Sequence, residues 1–197
     1  NDIRIIHSIS NLGRLLSIGE LDEIYNARYN ELDEQAYFNI IYRKTASLFV
    51  SCVEVGAYAT GVDDDRLDTL REYARLLGLC FQIKDDIFDY FSDEKIGKPT
   101  GNDLREGKVT LPLLHALKNT SHPRHAEMES LARKEALDTN EINALIAFAI
   151  ENGGIEYAED VMRRMRDEAV SLLSRFDRSD ITDSFIALID FIISRDN

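Results

Sequence analysis

The sequence predicts an all-α fold, a helical bundle around a central cavity. Apolar residues recur at helical spacing along most of the 197-residue chain, beginning with Ile3, Ile6 and Ile9. Only three prolines and ten glycines occur, and they cluster between the periodic segments. No alternation of polar and apolar residues indicates a strand, and the composition does not change enough to mark a second domain. We therefore expect residues 1–197 to form one helical domain.

The first helices can be placed from their capping residues. The first residues enter helical periodicity directly, and Gly19 is expected to interrupt the first helix. Asp33 is a suitable N-cap for a helix that ends near Thr60, because Gly61 can adopt the left-handed conformation that closes a helix. Asp63 can cap the next helix, which should continue to about Phe91. Such a length suits a large bundle with a cavity.

The second half of the chain begins with a loop and continues as shorter helices. Residues 92–108 are rich in Gly, Lys and Asp and are expected to form that loop. Thr110 should begin a helix, with Pro112 tolerated in its first turn. Further helices are expected near 123–135, from Asp138 or Thr139 to Gly153, over about 155–176 and over about 181–195.

Composition excludes several classes of function. The chain has 23 basic and 36 acidic residues, a balance that argues against nucleic-acid binding. It contains no apolar run long enough for a transmembrane segment and no signal-peptide pattern. Cys52 and Cys80 lie in apolar helical stretches, so we expect two buried free thiols and a cytoplasmic location. With a formal charge of −13, an anionic ligand would need local basic groups or bridging cations.

One acidic motif carries the strongest functional signal. Asp85, Asp86 and Asp89 form a DDxxD pattern behind the apolar run LLGLCFQI, with Gln82 one turn earlier. On a helix these carboxylates lie on neighbouring flanks and repel one another unless a cation neutralises them. Mg²⁺ prefers such oxygen ligands together with substrate phosphate oxygens. The motif is therefore interpreted as half of a Mg²⁺–diphosphate site.

A second copy of the pattern has a simpler explanation. Asp64, Asp65 and Asp68 have the same spacing, but they follow Gly61 directly in the first turn of a helix. Aspartates at that position cap exposed N–H groups and complement the helix dipole. We interpret this copy as structural.

Lysines near the Asp85–Asp89 motif could bind an anion. Lys98 and Lys108 flank a glycine-containing loop, and Asp103 lies between them. Glycines let a ligand approach the main chain, and ammonium groups can bind phosphate oxygens. Lys44 and Thr45 lie within the apolar segment IIYRKTASLFV. There a snorkelling lysine and a self-bonded hydroxyl are as good an interpretation until a partner anion is proposed.

These segments together resemble the trans-type polyprenyl diphosphate synthases, most of all the medium- and long-chain synthases. GLCFQIKDDIFDYF followed by GKPTGNDLREGKVTLPLL is similar to that family's second aspartate-rich motif and its following loop. YRKTASLF is similar to its KT motif, and GELDEI, ENGGIEYAED and DFIISR also occur in family order. The resemblance implies the isoprenoid synthase fold and elongation of an allylic prenyl diphosphate with isopentenyl diphosphate.

The resemblance also implies roles for individual residues. Asp85 and Asp89 would bind Mg²⁺ that bridges the allylic diphosphate, assisted by Asp86 and Asp103. The remaining residues would act on the substrates: Lys44, Lys98 and Lys108 would hold the diphosphate, Thr45 and Gln82 would set the substrates and receive the proton, and Phe81 would border the isoprenoid pocket. The family also implies a homodimer for the full-length protein.

One departure qualifies this interpretation. The family has a first aspartate-rich motif followed by paired arginines, and the copy at Asp64–Asp68 continues as TLREYARLL without that pair. We therefore expect the chain to be the C-terminal part of a longer synthase, lacking its N-terminal helices and inactive alone. The alternative is a non-catalytic partner subunit of a heteromeric synthase. A third hypothesis is a terpene cyclase, but the KT motif and the segment GKVTLPLL argue against it.

Overall fold

The computed structural model describes residues 2–29, 32–91 and 100–195, and these ranges contain helices and no strand. The predicted all-α class is therefore confirmed. None of the described helices combines the length and apolar character that crossing a membrane requires. The α-helices are α1 (Ile3–Tyr29), α2 (Glu34–Ile41), α3 (Ser47–Thr60), α4 (Asp64–Phe88), α5 (Asn102–Arg105), α6 (Leu111–Ala116), α7 (His125–Ala132), α8 (Thr139–Glu151), α9 (Gly154–Leu173) and α10 (Asp180–Ser194).

Several predicted caps form as expected. The Asp33 carboxylate accepts a hydrogen bond from the Ala36 N–H at 2.9 Å, and the helical segment ends at Gly61 with φ of 72°. Asp63 likewise accepts from the Arg66 N–H at 2.9 Å and begins α4, which ends at Phe88, three residues before the predicted position. Short side chains that bond the first free N–H groups are thus a dependable start signal here.

The helix predicted from Asp33 to Thr60 is divided. Between α2 and α3, residues Tyr42–Ala46 form a π-helical turn, which the periodicity does not reveal. π-helical turns are rare and often occur at functional sites. This one contains Lys44 and Thr45, two of the predicted site residues.

Three further expectations need correction. Gly19 does not interrupt α1, which runs continuously to Tyr29. The loop predicted at 92–108 contains the short helix α5, preceded by Gly101 with φ of 72°, while residues 92–99 lie outside the described part of the chain. Cys52 is exposed and only Cys80 is buried, because an apolar helical stretch does not reveal which face of the helix a thiol occupies.

The chain divides into two compact units. Among the described residues, the first comprises 2–21, 39–82 and 162–195, and the second comprises 22–29, 32–38, 83–91 and 100–161. In the first unit, Tyr73 is fully buried and donates a hydrogen bond to the Phe185 carbonyl at 2.7 Å. The second unit is organised around residues that are almost completely buried: Ile83, Leu111, Leu113, Met128, Ile142, Leu145 and Phe148.

Candidate active site

Asp86 is the buried member of the DDxxD motif on α4. Its side chain is almost inaccessible, at 5% relative exposure, and it accepts a hydrogen bond from the Tyr37 hydroxyl at 2.7 Å. Burial raises the pKa of Tyr37 well above its ordinary value, and the Asp86 charge raises it further. The phenol therefore keeps its proton and remains a hydrogen-bond donor to the carboxylate.

Asp89 organises the main chain that follows the motif. One carboxylate oxygen accepts from the Asn102 N–H at 3.0 Å and the other from the Asp103 N–H at 2.9 Å. Gly101 precedes these amides, and its N–H donates to the Asp89 carbonyl at 2.9 Å. A Cβ on Gly101 would come within 2.4 Å of Ile142, so both space and positive φ require glycine.

Asp103 and Lys108 lie in the same cluster. Burial and the neighbouring Asp89 charge raise the pKa of Asp103 to about 6, against the opposing effect of Lys108. Lys108 forms ion pairs with Glu106 at 2.7 Å and with Glu23 at 3.3 Å. Burial lowers the pKa of Lys108, but these two glutamates outweigh it and the net shift is upward, so the ammonium is firmly charged.

The KT segment forms a second cluster, within the first unit. Lys44 forms an ion pair with Glu20 at 2.9 Å. The Thr45 hydroxyl donates to the Gln82 side-chain oxygen at 2.6 Å, across 37 positions of sequence. This bond links the π-helical turn to α4.

Two glycines let helices approach the π-helical turn. A Cβ on Gly19 would lie 2.8 Å from side-chain atoms of Arg43 and Lys44. A Cβ on Gly78 would lie 2.5 Å from the Cα of Ala46. Backbone therefore packs directly on the turn from α1 and from α4, which fixes where Lys44 is presented.

The other predicted site residues are placed as follows. Asp85 is half-buried, and Phe81 packs its ring 5.6 Å from the Phe49 ring. Lys98 lies outside the described residues. Among 2–29, 32–91 and 100–195, no three acidic, histidine or cysteine side chains meet in a geometry that would hold a metal by themselves. A cation at the motif would thus need oxygen ligands from another source, such as a substrate phosphate.

Sequence reasoning missed several residues that hold these clusters. Glu20 forms an ion pair with Lys44, and Glu23 forms one with Lys108. In the sequence these glutamates are visible only as part of the segment GELDEI. Nothing in the sequence singles out Tyr37 as the partner of Asp86, because the two residues are 49 positions apart. Gly78 likewise reads as an ordinary interruption of an apolar helix.

The sequence of this chain is similar to a known protein family. Residues 1–149 match the family model described as polyprenyl synthetase. The chain belongs to the polyprenyl synthetase family. It is 29% identical to the octaprenyl diphosphate synthase of Haemophilus influenzae over 198 aligned residues, which cover 98% of this chain and 59% of that enzyme.

Solved structures agree with the family assignment and with the predicted fold. The geranylgeranyl pyrophosphate synthase of Bacteroides thetaiotaomicron superposes with a TM-score of 0.92 at 38% identity, over 99% of this chain and 65% of that one. The polyprenyl synthase of Caulobacter crescentus, complexed with calcium and isoprenyl diphosphate, gives 0.89 at 33% identity, over 99% and 60%. This polyprenyl synthetase chain thus spans about three-fifths of the length of its curated relatives.

Proposed function

We propose that the protein containing this chain is a prenyltransferase that elongates an allylic diphosphate by condensation with isopentenyl diphosphate, with Mg²⁺ as cofactor. The observation that carries this proposal is the cluster in which Asp89, the last aspartate of the DDxxD motif, lies with Asp103 and Lys108. It places half-buried carboxylates beside a charged ammonium, the combination expected where a metal and a phosphate are bound together.

The donor set suits Mg²⁺ in type and in charge. All proposed ligands, Asp85, Asp86, Asp89 and Asp103, offer hard carboxylate oxygens. Burial, together with the Asp89 charge, raises the pKa of Asp103, so a bound cation would stabilise its ionised form. The N–H bonds to Asp89 occupy only part of its acceptor capacity, since a carboxylate has about four lone-pair sites. When bound, Mg²⁺ would neutralise charge on the departing diphosphate as the C–O bond breaks.

The lysines would hold the diphosphate by exchanging their glutamate partners for phosphate oxygens of the substrate. Lys44 and Lys108 are each paired with a glutamate from α1, Glu20 and Glu23 respectively. These pairs keep both ammonium groups charged and oriented, and the substrate phosphate oxygens would take the place of the carboxylates. We assign the same role to Lys98.

The Thr45–Gln82 pair would orient the substrates and receive the proton that is lost after the alkene attacks the allylic carbon. Phe81 would border the isoprenoid chain. Calcium and isoprenyl diphosphate bound to the Caulobacter crescentus relative support a site for a divalent cation and a prenyl diphosphate. We further propose a homodimer in the cytoplasm, with a medium- or long-chain product.

The test is condensation by the purified protein that contains this chain. Labelled isopentenyl diphosphate and an allylic diphosphate should give elongated product with Mg²⁺, no product with EDTA, and recovery when Mg²⁺ is restored. Lys108→Ala should raise KM for the allylic substrate by about 10- to 100-fold, because a charge-assisted contact is lost. The matched control is Lys134→Ala, which removes a surface lysine paired with Glu141 at 2.7 Å and should leave KM unchanged.

Absence of condensation with every allylic diphosphate tried would contradict the proposal. Activity that appears only when a second, different protein is added would favour the alternative of a partner subunit. The 197-residue chain by itself should bind Mg²⁺ and an allylic diphosphate without turnover. Elongation by this chain alone would refute that expectation.

A further inference from the structure

Arg195 lies immediately after α10, the last helix of the chain. Its N–H donates to the Phe191 carbonyl at 2.8 Å, which closes the helix, and its side chain is half-buried. In the sequence, Arg195 stands out only as the last residue of the segment DFIISR.

The Arg195 side chain makes two contacts with one distant residue. The guanidinium carbon lies 4.4 Å from the centre of the Phe81 ring, and an Nη2–H donates to the Phe81 carbonyl at 3.2 Å. A cation over an aromatic face and a hydrogen bond to the main chain of the same residue together fix both ring and backbone. The Phe49 ring, 5.6 Å from that of Phe81, adds a further contact.

Phe81 adjoins the reactive part of the proposed site. The next residue is Gln82, which accepts the Thr45 hydrogen bond at 2.6 Å. A constraint on the Phe81 main chain is therefore a constraint on the helical turn that presents Gln82. A constraint on the Phe81 ring also sets a proposed wall of the isoprenoid pocket.

Helix α10 does not need Arg195 to stay in place. Asp190 on this helix forms an ion pair with Arg166 at 2.8 Å, and Ile189 and Ile192 are buried. The Phe185 carbonyl accepts the Tyr73 hydroxyl at 2.7 Å. Loss of the Arg195 side chain should therefore leave α10 docked while it removes the contacts to Phe81.

We propose that Arg195 is a positioning residue for the prenyl-transfer reaction, acting through Phe81 to orient the isoprenoid wall and the Thr45–Gln82 pair. This inference rests on the proposed function. It assigns to the last described residue of the chain a part in binding the allylic substrate, through its contacts with Phe81.

Steady-state kinetics of the whole protein test this role. Arg195→Ala should raise KM for the allylic diphosphate about three- to tenfold and change kcat less, because the lost contacts orient a binding surface. Arg195→Lys keeps a cation without the planar fork and should restore part of the loss. The control Asp190→Asn weakens the surface ion pair of α10 and should leave KM unchanged; an equal effect would reduce Arg195 to an anchor of the helix.

A double-mutant cycle separates action through Phe81 from direct action on the substrate. In a Phe81→Leu background the ring contact is absent and only the hydrogen bond to the carbonyl of residue 81 remains, so adding Arg195→Ala should cost less in KM than it does alone. Additive effects would overturn the proposal. Selective labelling of arginine gives a readout besides activity: the δ-protons of Arg195 should be shifted upfield by the ring in the wild type, and the shift should disappear in Phe81→Leu.

The outcomes distinguish this proposal from the function on which it rests. An inactive wild type would overturn both. An active wild type whose Arg195→Ala variant keeps its KM would overturn the positioning role alone. The absence of an upfield shift would contradict the contact itself, whatever the activity.

Discussion

The same DDxxD spacing occurs at both ends of α4 in different surroundings, and Asp89 follows the last residue of the helix. At the start of the helix, Asp64 and Asp65 are exposed, and the Asp68 side chain is 73% exposed and bonded to Arg71 at 2.8 Å. Near the end of the helix, Asp86 is 5% exposed and Asp89 binds two main-chain N–H groups. The same spacing of aspartates thus forms a solvated helix start in one place and a partly buried acidic cluster in the other.

The difference teaches that the chemistry of a carboxylate motif depends on its desolvation. Solvated aspartates at a helix start are stable by themselves, because water and the helix dipole stabilise them. Half-buried carboxylates beside one another are costly, and a bound cation would remove that cost. We expect only the copy formed by Asp85, Asp86 and Asp89 to respond to metal, and three sets of substitutions test this contrast.

The largest expected effect is on catalysis. Asp85→Asn with Asp89→Asn should lower kcat/KM of the complete protein by about 10³-fold, since removal of the charges weakens the Mg²⁺ site that neutralises the leaving group. The matched control is Asp64→Asn with Asp68→Asn, which has the same spacing and the same change of charge. It should leave kcat/KM nearly unchanged in the same assay, and equal losses would abolish the distinction between the copies.

A smaller effect is expected on stability. Asp86→Ala should lower the free energy of unfolding by about 2 kcal/mol, because the buried Tyr37 hydroxyl loses its acceptor. Asp65→Ala, at the same place in the other copy, should change it by less than about 0.5 kcal/mol. Urea denaturation in metal-free buffer measures both. Tyr37→Phe combined with Asp86→Ala should cost less than the sum of the single changes, as expected for direct partners.

The smallest effect concerns a carboxylate that already has its cation. Glu34 accepts the Tyr157 hydroxyl at 2.8 Å and forms an ion pair with Lys118. Burial alone would raise the pKa of Glu34, but the bonds from Lys118 and Tyr157 outweigh it, and the pKa lies below the ordinary 4.5. A carboxyl whose pKa is lower in the folded state stabilises the protein at pH values above its unfolded-state pKa. That stability is lost as the pH falls through the folded-state pKa.

Glu34→Gln should therefore lower the free energy of unfolding by about 0.5–1 kcal/mol at neutral pH, a figure reduced for solvent screening of the exposed lysine. The difference from the wild type should disappear at an acidic pH below the lowered pKa of folded Glu34, where the carboxyl is protonated in both states. Denaturation at the two pH values measures it. A difference that is the same at both would show that the ion pair contributes nothing and would weaken the contrast with the uncompensated acidic motif.

The family was predicted from the sequence, and the roles of the individual site residues stay predictions. The residue types in the second motif, the KT segment and the following loop indicated the family, which comparison confirmed. In the structure, the Thr45 hydroxyl bonds to Gln82 and the Asp103 N–H bonds to Asp89. The glutamate partners of Lys44 and Lys108 were not predicted, because an ion pair between separate segments leaves no periodic signal.

The sequence by itself determined the all-helical class, the capped starts at Asp33, Asp63 and Asp138, and the family. These follow from local hydrogen bonding, side-chain periodicity and short motifs, which neighbouring residues largely settle. Only the tertiary structure decided which acidic motif is buried, where the helix of the KT segment becomes a π-helical turn, and that Arg195 rests on Phe81. Burial and close approach depend on residues tens of positions apart, and their cost or benefit arises only when the helices pack.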